Sequence, residues 1–170
     1  MQPKSYRVFK WVMYALVTLL LCAFHAMFFS NVRVLGLTPF LYPMLPAMAA
    51  MFEGPRQGAV FALVLGVLCD LLVPAPFRGF FSIIFPVIAA LSGGIASRLQ
   101  SRGFLCALIV SSLGLLATGA FRMLIQILSG GRYLGLMARI ALGEALLTLP
   151  ALLIVLPLYR TIFRRCAADY

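Results

Sequence analysis

Apolar runs long enough to cross a lipid bilayer follow one another along the whole chain. A membrane-spanning helix needs about 20 predominantly apolar residues. The candidate segments are 11–29, 34–52, 58–74, 80–96, 104–129 and 140–159. None alternates apolar and polar residues as the strands of a membrane β-barrel do. We therefore predict one all-α transmembrane domain covering residues 1–170, a compact bundle of about six helices.

The composition excludes a large water-exposed domain. Hydrophobic residues make up 64% of the 170 residues and charged residues only 11%, against roughly 45–50% and about 25% in soluble domains. The basic residues Lys4, Arg7 and Lys10 precede the first run, as in a signal peptide. However, that run is too long for a signal-peptide core, and no convincing small-residue cleavage site follows it. We expect it to be a retained first span.

The net charge of +10 is distributed in a way that favours a membrane over nucleic acid. The basic residues stand between apolar runs and form no basic stripe interleaved with aromatic residues, so anionic phospholipids are the expected partners. With six spans, both termini share one side. That side would hold Lys4, Arg7, Lys10, Arg56, Arg98, Arg102, Arg160, Arg164 and Arg165. The other would hold Arg33, Arg78, Arg132 and Arg139. The side richer in basic residues is usually cytoplasmic, so we predict cytoplasmic termini.

Segment 34–52 contains Pro39, Pro43 and Pro46, and proline removes a helical hydrogen bond and clashes with the preceding turn. Broken backbone at membrane depth is tolerated only where protein or a wet cavity satisfies the freed carbonyls. Two interpretations stay open, a kinked span packed against its neighbours and a discontinuous helix that lines a pocket. A segment that dips and returns would make the number of spans odd, and the charge pattern argues against that.

Small residues recur at four-residue spacing and predict close helix packing, because they let backbones approach in lipid. The predicted packing seam consists of Gly58, Ala62, Gly66, Ala89 and Gly93. Packing within the chain is the favoured interpretation, and recruitment of a partner's helix or a homodimer is the alternative.

A few ionisable side chains lie inside the apolar segments, where each costs about 2.5–3.5 kcal/mol on insertion scales. They are His25, Asp70, Arg122 and Glu144, with Gln126 on the polar face of Arg122. All four ionisable groups fall in the half of their spans away from the termini, so we expect an outer polar layer. Either Arg122 neutralises the carboxylates internally, or the layer is a pocket for a ligand or a partner segment.

The sequence offers little for catalysis. The single histidine rules out an HExxH metal site, no glycine-rich phosphate loop occurs, and the four acidic residues are not clustered for magnesium. The cysteines Cys22, Cys69, Cys106 and Cys166 form no CxxC pair that would indicate zinc. We expect no enzyme activity, no cofactor and no metal site.

The stretch from Gly66 to Leu72, which ends with Asp70-Leu71-Leu72 and is followed by Pro76 and Gly79, resembles the signature of the rod shape-determining protein MreD family. In that family a glycine precedes a span-end aspartate by four residues, and a proline and a glycine open the next hydrophobic segment. Arg78 stands where the family usually has the glycine, and Gly79 comes one residue later. The resemblance is clearest over residues 39–103.

The MreD resemblance implies a non-enzymatic scaffold subunit of the bacterial cell-elongation machinery in the cytoplasmic membrane. Such a protein binds MreC, a partner with one span, and helps couple MreB filaments to peptidoglycan synthesis by membrane-bound wall-synthesis proteins. The small six-span shape also resembles the substrate-binding subunits of energy-coupling-factor vitamin transporters. Those carry an outer ligand pocket and an alanine pair in the first span, where this chain has Cys22 and Ala26.

Overall fold

The computed structural model describes residues 4–29, 36–99, 103–130 and 134–167, and the long elements among them are all helices. The helices are α1 (Lys4–Phe24), α2 (Met44–Glu53), α3 (Pro55–Leu72), α4 (Phe80–Leu99), α5 (Phe104–Leu128), α6 (Leu134–Thr148) and α7 (Leu152–Ala167). A π-helical turn, His25–Phe29, extends α1, and the 3₁₀ turn Leu149–Ala151 joins α6 to α7.

Within the described ranges, five stretches are long and apolar enough to cross a membrane. They are Val8–Phe28, Pro55–Leu72, Phe80–Leu99, Phe104–Leu128 and Gly135–Arg164. Many large apolar side chains on them face outward, among them Leu71 at 80% and Leu128 at 79% exposure. A water-soluble monomer rarely exposes so much contiguous apolar surface. The chain is therefore a multi-pass membrane protein with an all-α bundle.

Of the two interpretations of segment 34–52, the structure shows the discontinuous helix. Its helical part is only α2, of 10 residues, and residues 38–41 before it are not helical. The prolines explain the late start, since Pro43 lies at the N-cap and Pro46 in the first turn, where a missing N–H removes no intrahelical bond. Pro39 lies in the non-helical stretch 38–41, which we call the lead-in.

This segment nevertheless runs from one end of the bundle to the other. At its start, Thr38 and Pro39 line one cavity together with His25, which follows the last residue of α1. At its end, Glu53 forms an ion pair with Lys10, near the beginning of α1. We call the end that holds Lys10 and Glu53 the terminal end, and the opposite end the distal end. The lead-in and α2 thus supply a sixth crossing, which brings both ends of the described chain to the terminal end.

Helix α2 forms the centre of the bundle, packed against α3, α4, α5 and α7. Residues Met44 to Phe52 are all buried. A tight turn at Gly54, whose φ is +90°, reverses the chain into α3. Only glycine adopts such an angle without strain.

The predicted seam residues lie in the packing among α2, α3 and α4. Ala62 and Ala89 are fully buried. A Cβ on Gly58 would collide with Ala50 of α2, and one on Gly93 would lie 2.7 Å from the backbone of Pro55. A Cβ on Gly66 would lie 2.5 Å from the carbonyl oxygen of Phe81. These three glycines therefore allow helix backbones within the chain to approach directly.

The remaining predicted segments are helical, but the bounds differ at both ends of the chain. Helix α1 begins at Lys4, before the predicted segment 11–29. The segment 140–159 corresponds to α6 and α7 together, which begin earlier, at Leu134, and are interrupted by a 3₁₀ turn around Pro150. The interruption has a local cause, because Pro150 lacks the N–H that would continue the α-helical hydrogen bonds.

Candidate functional site

Arg122 and Glu144 face each other between α5 and α6 near the distal end. Arg122 Nη1 lies 3.5 Å from Glu144 Oε2, and the two side chains are 30% and 22% exposed. The guanidinium carbon also lies 4.4 Å from the centre of the Phe40 ring, within range of a cation–π interaction. The pair is therefore shielded on one side by Phe40 and is still accessible.

A cavity of about 400 Å³ adjoins this pair, and we call it the distal cavity. It is lined by His25, Ala26, Thr38, Pro39, Phe40, Tyr42, Leu72, Val73, Pro74, Arg122 and Glu144. The end of α1, the lead-in to α2 and the end of α3 thus meet the charged pair at one place. A cation, a carboxylate and aromatic rings around one space can bind a polar segment or a small polar ligand.

The predicted polar layer is only partly gathered at this cavity. His25 is 6% exposed, and its ring lies 4.6 Å from that of Tyr42 in an edge-to-face arrangement. Gln126 is half-buried on α5 and is not one of the cavity-lining residues. Three predicted residues, His25, Arg122 and Glu144, therefore share one cavity.

Asp70 has a different environment from the one we expected. Its Oδ1 accepts the backbone N–H of Phe81 at 3.0 Å, and its Oδ2 accepts the N–H of Ser82 at 2.9 Å. The Ser82 hydroxyl also donates to Oδ2, at 2.6 Å. Asp70 thus satisfies first-turn N–H groups of α4, where a carboxylate also interacts favourably with the helix dipole. Among the described residues, the Asp70 carboxylate therefore binds the start of α4 and not Arg122, which pairs with Glu144.

The Arg122–Glu144 pair gives a testable expectation for stability. Arg122→Leu leaves the Glu144 carboxylate without its cation, at a cost of about 1–3 kcal/mol because the pair is partly exposed. Adding Glu144→Gln should recover part of the loss in thermal stability, measured on detergent-purified protein. Arg78→Gln, at an exposed turn, is the control and should change little. Unchanged stability of Arg122→Leu would show that water or headgroups already solvate both charges.

A groove lined almost entirely by apolar residues lies between α1 and α3, and we call it the α1–α3 groove. Its volume is about 350 Å³, and it is lined by Ala15, Thr18, Leu19, Phe61, Val64, Leu65, Val67, Leu68 and Leu71. The two helices touch near the terminal end, where Trp11 and Tyr14 contact Phe61. Beyond that contact, α1 packs against α7, where the Thr18 and Tyr159 hydroxyls form a 2.7 Å hydrogen bond. Because α1 contacts α7 there, the groove between α1 and α3 stays open.

Glu53, which follows the predicted segment 34–52 directly, is a charged residue with a buried side chain. Its side chain is 3% exposed, and it pairs with Lys10 and accepts a hydrogen bond of 3.0 Å from the Tyr14 hydroxyl. The sequence contained one indication of this site, because Lys10 and Tyr14 are four residues apart and lie on one face of α1, where both can bind one acidic side chain. Its partner could not be identified without knowing that α2 ends beside α1.

No group of three or more His, Cys, Asp or Glu side chains within the described ranges is arranged to hold a metal ion. The described cysteines, Cys22, Cys69 and Cys106, are buried free thiols, and Cys166 has no described side chain. Comparisons with protein-family models, with curated proteins and with solved structures gave no match to this chain.

Proposed function

We propose that this chain is a non-enzymatic scaffold subunit of the bacterial cell-elongation complex, of the MreD type, which binds an MreC-like single-span protein. The proposal further assigns it to the bacterial cytoplasmic membrane, where it would help couple MreB filaments to peptidoglycan synthesis by wall-synthesis proteins. The resemblance around Asp70 suggests the family, and the surface of the bundle supports a binding role.

One observation carries the proposal. The α1–α3 groove and the distal cavity lie along the same pair of helices, the groove along their length and the cavity at the distal end. Thr18 and Leu19 of α1 line the groove, and His25 and Ala26 line the cavity. A single-span partner has two matching parts. Its apolar membrane helix fits the groove, and the polar segment that follows outside the membrane fits the distal cavity. Helices in lipid associate by such close packing.

A second candidate function uses the distal cavity alone. Its volume, the Phe40 and Tyr42 rings and the Arg122–Glu144 pair would also suit a small vitamin-like molecule that carries a positive and a negative charge. In that case the chain would be the substrate-binding subunit of an energy-coupling-factor transporter. The apolar groove has no role in this alternative, which is why we favour the scaffold.

The orientation of the bundle can be tested directly. The terminal end would collect nine of the basic residues against four at the distal side, so we propose that both termini are cytoplasmic. Reporter fusions at both ends should be active only in the cytoplasm. A C-terminal fusion active outside the cytoplasm would mean that the lead-in and α2 do not cross the membrane.

The scaffold proposal predicts a position-dependent contact with MreC. A photo-crosslinking amino acid is placed at Leu19 or Val64 in the groove, and at Leu91 or Leu105 as controls. Both controls are apolar and exposed, at 51% and 71%, but lie on α4 and α5. The chain is co-expressed with the MreC encoded in the same genome. We expect crosslinks to MreC from both groove positions and few or none from the controls.

The outcomes separate the two candidates. Equal crosslinking from groove and control positions would contradict docking in the groove. Co-purification of an ATPase pair with a coupling membrane subunit, together with binding of a vitamin that Arg122→Leu abolishes, would establish the transporter instead.

A further inference from the structure

A second cavity lies at the terminal end, and the proposed function makes no use of it. This terminal cavity has a volume of about 290 Å³ and is lined by Phe52, Gly103, Arg160, Phe163 and Arg164. It is formed by the end of α2, the start of α5 and one face of α7. Arg160 and Arg164 share that face because they are four residues apart.

The two arginines give the terminal cavity a positive charge. Both are exposed, and neither takes part in an ion pair with a carboxylate of the described residues. The buried carboxylate next to Phe52 is Glu53, and it is already engaged by Lys10 and Tyr14. Among the described residues, no carboxylate therefore neutralises these two arginines.

The start of α5 adds backbone donors to the same cavity. Gly103 is the N-cap residue, in an extended conformation, and supplies no side-chain hydrogen bond to the first turn. The first N–H groups of a helix have no intrahelical partner and attract anions. Arg160, Arg164 and the N-cap residue of α5 therefore line the same cavity.

The floor of the cavity is apolar, which suits a lipid better than a free ion. The rings of Phe52 and Phe163 lie 5.4 Å apart. The cavity also lies at the start of α5 and near the end of α7, where the apolar stretches Phe104–Leu128 and Gly135–Arg164 each have one end. In a membrane this position corresponds to the headgroup region. Basic pockets between helices at this depth bind anionic lipid headgroups.

We propose that the terminal cavity binds the phosphate of an anionic phospholipid, with Arg160, Arg164 and the first turn of α5 as its donors. The partly exposed Phe163 ring, which packs on the buried Phe52, contacts the glycerol and the first acyl methylenes. This inference does not depend on the scaffold proposal, because it concerns the opposite end of the bundle and a lipid of the surrounding membrane.

The test measures lipid binding to the full-length protein in detergent by native mass spectrometry. Phosphatidylglycerol is compared with phosphatidylcholine of the same acyl chains, and inorganic phosphate is a separate arm. Arg160→Gln with Arg164→Gln should lower phosphatidylglycerol binding by about tenfold or more. Arg56→Gln with Arg98→Gln is the matched control, because it removes two exposed basic residues from the same end but outside the cavity.

Gly103→Asp distinguishes loss of binding from loss of folding. A Cβ at Gly103 would meet no atom within 4 Å, and aspartate is a favourable N-cap residue. This variant should therefore keep or raise thermal stability while its carboxylate excludes the lipid phosphate. The proposal is overturned if Gly103→Asp or the double arginine variant binds phosphatidylglycerol as the wild type does. It is also overturned if phosphatidylcholine binds equally well, or if phosphate ion alone occupies the site equally well.

Discussion

Gly66→Ala and Gly94→Ala are expected to change the stability of the bundle in opposite directions. A Cβ at Gly66 would lie 2.5 Å from the Phe81 carbonyl oxygen and 2.8 Å from the Cα of Ser82, whereas a Cβ at Gly94 would meet nothing within 4 Å. The clash at Gly66 is with backbone, so α3 and α4 must separate. Helix propensity alone favours alanine by about 1 kcal/mol at both sites.

The loss at Gly66 should be large because a second interaction depends on the same contact. Asp70 lies one turn further along α3 and accepts hydrogen bonds from Phe81 and Ser82. Separating the helices would weaken those bonds as well. We expect Gly66→Ala to cost about 3 kcal/mol, at the upper end for overpacking, and Gly66→Leu to cost more.

Thermal stability and the monodisperse fraction of detergent-purified protein are the measurements for this prediction. Leu63→Ile, at a side chain that is 50% exposed, is a further control and should behave as the wild type. If Gly66→Ala and Gly94→Ala had the same effect, the close approach of α3 to α4 would be refuted.

Removing Lys10 is expected to produce the second large loss of stability. Lys10→Met leaves the Glu53 carboxylate, 3% exposed, with Tyr14 as its described hydrogen-bond partner. Breaking a buried ion pair by deleting one partner typically costs about 3–5 kcal/mol. Glu53 ends α2, the helix at the centre of the bundle, so the loss should reduce the folded yield of the whole protein.

A double variant tests the electrostatic origin of this loss. Glu53→Gln keeps an oxygen for the Tyr14 hydroxyl and removes the negative charge. Lys10→Met with Glu53→Gln should therefore recover much of the stability that Lys10→Met loses. Arg56→Gln, at an exposed residue just beyond the turn, should stay within about 0.5 kcal/mol of the wild type. Equal losses in the single and double variants would show that lost packing of the Lys10 side chain is the cause.

The discontinuous segment connects the Glu53 pair with the distal cavity of the proposed function. Its lead-in lies beside the distal cavity, and its helix α2 ends at the buried Glu53 pair. The backbone N–H of Phe40 donates to Thr148, and the Phe40 ring covers Arg122. This part of the cavity wall is therefore held against α5 and α6.

Local patterns in the sequence determined the membrane class, the type of each long helix and the small-residue positions. Apolar length and four-residue spacing are local properties, and a helix in lipid satisfies its own backbone, so neighbours change such elements little. The prolines of segment 34–52 likewise predicted a kink or a break in that helix. Its form, with an extended lead-in and only α2 helical, depended on which neighbouring groups satisfy the freed backbone.

The partners of the charged residues were decided only by the tertiary structure. The sequence placed Asp70, Arg122 and Glu144 at similar depth, but depth does not reveal the rotation of each helix about its axis. The structure turns Asp70 toward the start of α4 and pairs Arg122 with Glu144. It also buries Glu53 beside α1, although its neighbours in the sequence are typical of an exposed turn. Such pairings depend on contacts between helices distant in the chain, and local residue patterns do not encode them.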